Sequence, residues 1–268
     1  MKKLFLLALL MFAVAALAAC SSDDEPAERR TLVMGTNAAF FPFEFVADHG
    51  RGVIGQYAGI DVSLVARIAE ELDIDIVIQD QEFIGLIAAL QNREIDFIAA
   101  AMTIRPDRAE QVNFTVPYFN AGQYIVVRSD NDAINSIADM EGMIVGVQFA
   151  TTGDIAMTDA NNEGIIDLHS VAQYNQPVAA IMDLLSGSID AVVIDAPVAR
   201  GFIAQHPGEL RAFADPNEFF GPEQFGMAFH LEDTELLAEF NEVLIRLIEE
   251  GYVMYLYEYY NREFAPVE

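Results

Sequence analysis

An α/β fold of two similar lobes is what this 268-residue sequence predicts, on three observations. From Thr31 onward strand-like and helix-like segments alternate, the pattern of α/β layers with largely parallel sheets. Residues 90–96 (Leu-Gln-Asn-Arg-Glu-Ile-Asp) are echoed at 184–190 (Leu-Leu-Ser-Gly-Ser-Ile-Asp), each copy ending a helix and starting an apolar strand. The offset is too long for a solenoid repeat and suits one α/β unit per lobe. The residues after Ala19 suffice for one large domain or two of ordinary size. In open α/β sheets, ligands sit beyond the carboxyl ends of strands. Five residues past the echoed aspartates Asp96 and Asp190 stand Ala101 and Asp195, so two loops should face each other across a cleft.

The N-terminus comes first. Lys2 and Lys3 precede an almost unbroken apolar run over residues 4–17, which reads as a secretory signal. It is shorter than the roughly 20 residues of a spanning helix. Leu17-Ala18-Ala19-Cys20 resembles the bacterial lipoprotein cleavage box, whose cysteine carries a diacylglyceryl group. Cys20 is the one cysteine in the chain, so an internal disulfide is excluded. Residues 1–19 are therefore expected as signal peptide and 20–30, polar and interrupted by Pro26, as a lipidated flexible tether.

Strands are predicted over residues 32–35, 74–78, 95–100, 125–127, 144–147 and 191–194. Helices follow from the face made by Leu64, Val65, Ile68, Ala69 and Leu72, from residues 83–90, and from residues 176–185, opened by Pro177 at the first turn. A strong amphipathic helix carries Leu236, Phe240, Val243, Leu244 and Leu247, capped by Asp233 or Thr234 and closed by Gly251.

Charge excludes several functions. The net charge is −28, and both lysines lie in the signal segment, leaving twelve arginines as the remaining cations. That rules out a Schiff-base or P-loop lysine in the mature chain and argues against nucleic acid as a partner. His49, His169, His206 and His230 have no ligand-like spacing, so no metal site is expected, nor any cofactor. Gly50-Arg51-Gly52-Val53-Ile54-Gly55 fits G-x-G-x-x-G but lies between no strand and helix, so it reads as a turn. No serine sits in a nucleophile elbow.

Three stretches together resemble the amino-acid-binding proteins of extracellular solute-binding family 3. They are residues 37–45 (Asn-Ala-Ala-Phe-Phe-Pro-Phe-Glu-Phe); Phe83 through Ala100-Ala101-Met102-Thr103 and Arg108 to Pro117-Tyr118; and residues 147–154 with 190–195. The resemblance implies a two-lobed type II periplasmic-binding-protein fold. Lobe 1 would hold residues 31–121 and 222–268 and lobe 2 residues 122–221, hinged near Gly122 and Gly221. It implies a lipid-anchored, monomeric carrier outside the cytoplasm that hands a free L-amino acid to the permease subunits of an ABC importer.

A free amino acid carries a carboxylate and an ammonium on one carbon, so its receptor needs opposite charges close together. Arg108 suits the carboxylate as a bidentate clamp. The Thr103 hydroxyl and backbone N–H groups near Ala101 and Met102 are further donors. Asp195 suits the ammonium, and Thr151 and Thr152, at a helix start, offer donors to the carboxylate. Phe40 and Phe83 would sandwich the ligand side chain, and Asn37 and Gln148 would meet its distal end. Arg108 could instead be a surface residue after the Pro106-Asp107 turn, and Asp195 could simply cap the helix after it. Ala150 departs from the glycine that many members of the resembled family carry in this loop, and Asn37 stands where its glutamine- and lysine/arginine/ornithine-binding members have aspartate. The neutral pair Asn37 and Gln148 favours a polar uncharged side chain. A cationic ligand is the rival, with Glu44 as counter-charge. A periplasmic cyclohexadienyl-type dehydratase on the same scaffold and a receptor sensor domain are the alternatives in other classes, and Asp195 favours binding over the enzyme.

Overall fold

The computed structural model describes residues 29–48 and 50–263. The expected signal peptide, Cys20 and the tether as far as residue 28 lie outside them, as do His49 and residues 264–268.

Two five-stranded sheets organise the chain. The first runs in the order Ile74–Asp80, Arg30–Thr36, Phe97–Ile98, Ala228–Phe229, Asn113–Phe114. Arg30–Thr36 and Phe97–Ile98 are parallel, while Ala228–Phe229 is antiparallel to both of its neighbours. The second runs Ser170–Tyr174, Ile144–Gln148, Ala191–Asp195, Gln123–Arg128, Leu210–Phe213. Its first three strands are parallel, and Gln123–Arg128 is antiparallel to both strands beside it. Between the sheets lies a short antiparallel pair, Phe119–Ala121 with Glu223–Phe225, through which the chain passes from the first sheet to the second and back.

The internal echo has a physical cause. Asp96 accepts from the backbone N–H of Val33 at 2.6 Å, and Asp190 accepts from that of Ile144 at 2.9 Å. In return each aspartate's own N–H donates to the carbonyl of the same residue. Two residues further along the neighbouring strand stands a glycine in both copies. A Cβ on Gly35 would meet the Ile95 side chain at 2.3 Å, and one on Gly146 would meet Ile189 at 2.6 Å. Each Ile-Asp pair thus docks a strand onto its parallel neighbour, the isoleucine filling the space a side chain would occupy.

Two sequence expectations need amendment. The strand over 95–100 is paired only at Phe97–Ile98, although Asp96 and Ala99 still donate to Val33 and Gly35, because the chain turns away at Ala101 with φ of 46°. The C-terminal helix Thr234–Glu249 has no side-chain cap from Asp233, whose carboxylate pairs with Arg93 instead. Gly251, at φ 75°, does separate that helix from the following one, Tyr252–Glu263. Both pack on Ile60–Leu72 against the first sheet. Among the described residues no helix is long and apolar enough to cross a membrane, and no cluster could hold a metal ion.

Candidate functional site

Strand ends from both sheets converge on one narrow cleft. Asn37, Phe40, Phe83, Ala101, Thr103 and Arg108 line it from the first-sheet side. Gln148, Thr151, Thr152 and Asp195 line it from the other. Met102 does not. Its side chain is 1 % exposed and packs with Leu86, Leu90 and Val112, so what Met102 can offer the cleft is the backbone N–H expected of this stretch, while that of Ala101 donates to Asp61.

Arg108 sits on the short helix Pro106–Ala109, opened by a proline, and is buried rather than at the surface. Its guanidinium donates to the Thr103 carbonyl and, across the cleft, to the Ala150 carbonyl, each at 3.0 Å. It also lies over the Phe83 ring, 5.3 Å from the centroid. Burial, reinforced by the Arg105 charge, pulls its pKa down to about 10, which still leaves it cationic at neutral pH.

The two loops facing each other are held by the same device. Ala101 and Ala150 both have positive φ, 46° and 64°, uncommon for residues with a Cβ. The Ala101 N–H donates to Asp61 and the Ala150 N–H to Asp154, both at 2.8 Å, and both carboxylates are buried. Asp61 also accepts from the Tyr118 hydroxyl, and Asp154 from Thr158 and Gln173. The positive φ at Ala150 aims its carbonyl at Arg108. The Ala150 N–H is consequently committed to Asp154. Free donors in this loop fall to the first turn of Thr152–Asn162, where helix geometry leaves N–H groups without intrahelical partners.

Asp195 ends its strand and makes no side-chain cap to the helix Ala196–Gln205. Its Oδ1 is buried with no hydrogen-bond partner among the described residues, and burial together with the Glu223 charge pushes its pKa well up. Asn37 and Gln148 meet directly: Gln148 Nε2 donates to Asn37 Oδ1 at 2.9 Å, while Asn37 Nδ2 donates to the Gln81 carbonyl.

Two acidic residues complete the site. Glu44, raised at the sequence level only as a counter-charge for a cationic ligand, is 1 % exposed and lines the cleft, and its Oε2 has no partner among the described residues. Burial first, then the charges of Asp61, Asp195 and Asp80, hold its pKa well above the usual range. Glu223 was not anticipated. Its carboxylate accepts from the hydroxyls of Thr103 at 3.1 Å and Thr152 at 3.0 Å, and from Gln123. Each hydroxyl has one proton, so both threonines present lone pairs to the cleft rather than the expected donors.

The sequence matches the family model for bacterial extracellular solute-binding proteins, family 3, over residues 32–263. It is 33 % identical to the L-arginine-binding protein of Pseudomonas aeruginosa, over 94 % of this chain and 93 % of that protein. With the arginine-binding extracellular protein ArtP of Bacillus subtilis the identity is 30 %, over 94 % of each. An ancestral arginine-binding protein, solved bound to arginine, superposes with a TM-score of 0.77 at 34 % identity, covering 87 % of this chain and 98 % of that one. These relatives are solute-binding proteins, not enzymes. With its two-lobed architecture and a match running nearly end to end, the chain belongs to the bacterial extracellular solute-binding proteins of family 3.

Proposed function

We propose that this chain captures a free L-amino acid with a cationic side chain, arginine foremost, and delivers it to an ABC importer. Arg108 takes the carboxylate; Asp195 and the lone pair of Thr103 take the ammonium; Phe40 and Phe83 flank the side chain. The observation that carries the side-chain assignment is Glu44. It is a second buried carboxylate in the cleft, facing one guanidinium, with an unpartnered oxygen. An unpaired buried charge is costly, and a ligand with two cationic groups and one carboxylate neutralises Glu44, Asp195 and Arg108 together. Asn37 and Gln148 favoured a neutral ligand while they were considered as free amides, but Gln148 Nε2 donates to Asn37 Oδ1, and the atom left without a partner among the described residues is Gln148 Oε1, an acceptor that a cationic group can donate to as well. The arginine-binding names of the relatives support the same choice. Calorimetric titration with L-arginine, L-lysine and L-glutamine tests it: arginine should bind tightest, and tightest binding to glutamine would restore the neutral reading.

Residues 31–121 with 222–268 and residues 122–221 serve as the two bodies of a hinge about the crossing strands, closing on ligand. Lipid on Cys20 holds the carrier at the membrane, a reading supported by the Leu17-to-Cys20 box. Cys20→Ala should abolish lipid labelling and membrane retention; persistence of both would remove the anchor.

A further inference from the structure

The Thr103–Glu223–Thr152 bridge separates two spaces. On one side is the ligand cleft; on the other is an outer chamber of about 850 Å³ open to solvent. Thr103 and Thr152 line both. We propose that Glu223 is a specificity-determining residue: by tying the two threonines together it walls the cleft off from the outer chamber and so excludes ligands extended at the amino-acid backbone, such as dipeptides. This rests on the amino-acid-binding reading above.

The position of the wall follows from the chemistry around it. Arg108 and Thr103 are five residues apart, and the guanidinium bonds the Thr103 carbonyl, so the backbone end of an amino acid clamped by Arg108 abuts the two threonines. Thr103 and Thr152 border both spaces, so a residue joined to that carboxylate through a peptide bond would reach the outer chamber by passing between them. Glu223 spans that gap with hydrogen bonds to both, and Gln123 braces it with bonds to the carboxylate and to the Thr152 hydroxyl at 3.1 Å. Thr103 belongs to the first-sheet lobe, Thr152 to the second, and Glu223 to the crossing strand, so the wall forms only where all three meet. Beyond it the chamber is equipped for a second residue. Arg105, ion-paired with Asp107 through Nε, is the cation of its lining, and Phe219 and Phe220 offer apolar surface.

The test is titration of wild type, Glu223→Ala and Glu223→Gln with L-arginine and with the dipeptide L-arginyl-glycine, reading the ratio of the two affinities. Wild type should bind arginine and discriminate against the dipeptide. Glu223→Ala should lower that discrimination by roughly tenfold or more, the scale at which pocket contacts separate related ligands. Glu223→Gln, which keeps the bulk and can still bridge the hydroxyls, should hold the wild-type ratio. An unchanged ratio in Glu223→Ala, with wild type binding arginine normally, would overturn the wall and leave the amino-acid reading standing. Failure of wild type to bind any free amino acid would sink both. Should Glu223→Ala show no cooperative unfolding, Thr152→Ala breaks the same bridge from the other lobe and must lower the ratio in its turn.

Discussion

Phe41 and Gly201 pack directly against each other: a Cβ built on Gly201 would meet the Phe41 ring at 2.7 Å. Gly201 lies within the helix Ala196–Gln205, which packs on the second sheet, and Phe41 follows the hairpin strand that brings Phe40 to the cleft. Glycine within a helix costs about 1 kcal/mol relative to alanine, so its presence here has a steric reason. Gly201→Ala should disfavour the closed state by about 1–3 kcal/mol, the usual penalty of overpacking, while helping the helix itself. Arginine affinity should therefore fall severalfold or more with no loss of thermal stability in ligand-free protein. Unchanged affinity would show that closure does not use this contact.

Glu44→Gln removes one buried carboxylate while keeping its shape. Truncating one partner of a buried charged pair costs about 2–5 kcal/mol, roughly 30-fold or more in Kd. Affinity for arginine and lysine should drop by this amount, and affinity for glutamine should hold or rise. A panel of L-amino acids followed by thermal shift reads the change in rank order. Equal losses for cationic and neutral ligands would place Glu44 in the scaffold rather than against the side chain.

Arg108→Ala and Asp195→Ala remove the two ends of the backbone clamp. Each should cost a comparable 2–5 kcal/mol of binding, or about 30-fold or more, for every amino acid tested. Because Arg108 also bonds the Ala150 carbonyl across the cleft, its loss should slow closure as well as weaken binding. Near-wild-type affinity in either variant, by calorimetry, would remove that residue from the clamp.

How much of this was legible in the chain depends on the range of the interaction. Arg108 and Asp195 were named because a free amino acid demands one cation and one anion, the echoed Ile-Asp pairs pointed to Ala101 and Asp195, and all three line the cleft. Those pairs were readable as a repeat because each docks a strand by the same local device, Asp96 on Val33 and Asp190 on Ile144. Met102 was named with its stretch for its backbone N–H, and which way its side chain turns, into the cluster with Leu86 and Leu90, was not legible from the motif. Glu44 was visible as an acid, but which way it faced was set by its pairing opposite Phe40. Glu223 could not be read at all. Its partners Thr103 and Thr152 are 120 and 71 residues away, and only the return of the chain through the crossing strands brings them together.

Asp61 supplies the last prediction, a dependence of stability on pH. It is fully buried, accepting from the Ala101 N–H and the Tyr118 hydroxyl, and burial outweighs these bonds to raise its pKa from 3.8 to about 7. The folded protein therefore holds a proton on Asp61, between pH 3.8 and about 7, that the unfolded chain has released. Stability from this group is complete below the unfolded value and is lost as pH rises through the folded one, with a slope of up to about 1.4 kcal/mol per pH unit. Above about pH 7 the loss levels off. Asp61→Asn cannot titrate, yet its amide oxygen can still accept from Ala101. The comparison to make is denaturant unfolding of wild type and variant, both without ligand, at about pH 5 and about pH 8. Taking the difference cancels the other carboxylates, several of which, such as Glu71 and Asp139, are shifted downward and act in the opposite sense. The stability advantage of wild type over Asp61→Asn should shrink by more than about 1 kcal/mol between the two conditions. A difference that stays level would mean that Asp61 is already ionised in the folded protein at pH 5, its hydrogen bonds to Ala101 and Tyr118 outweighing the cost of burial.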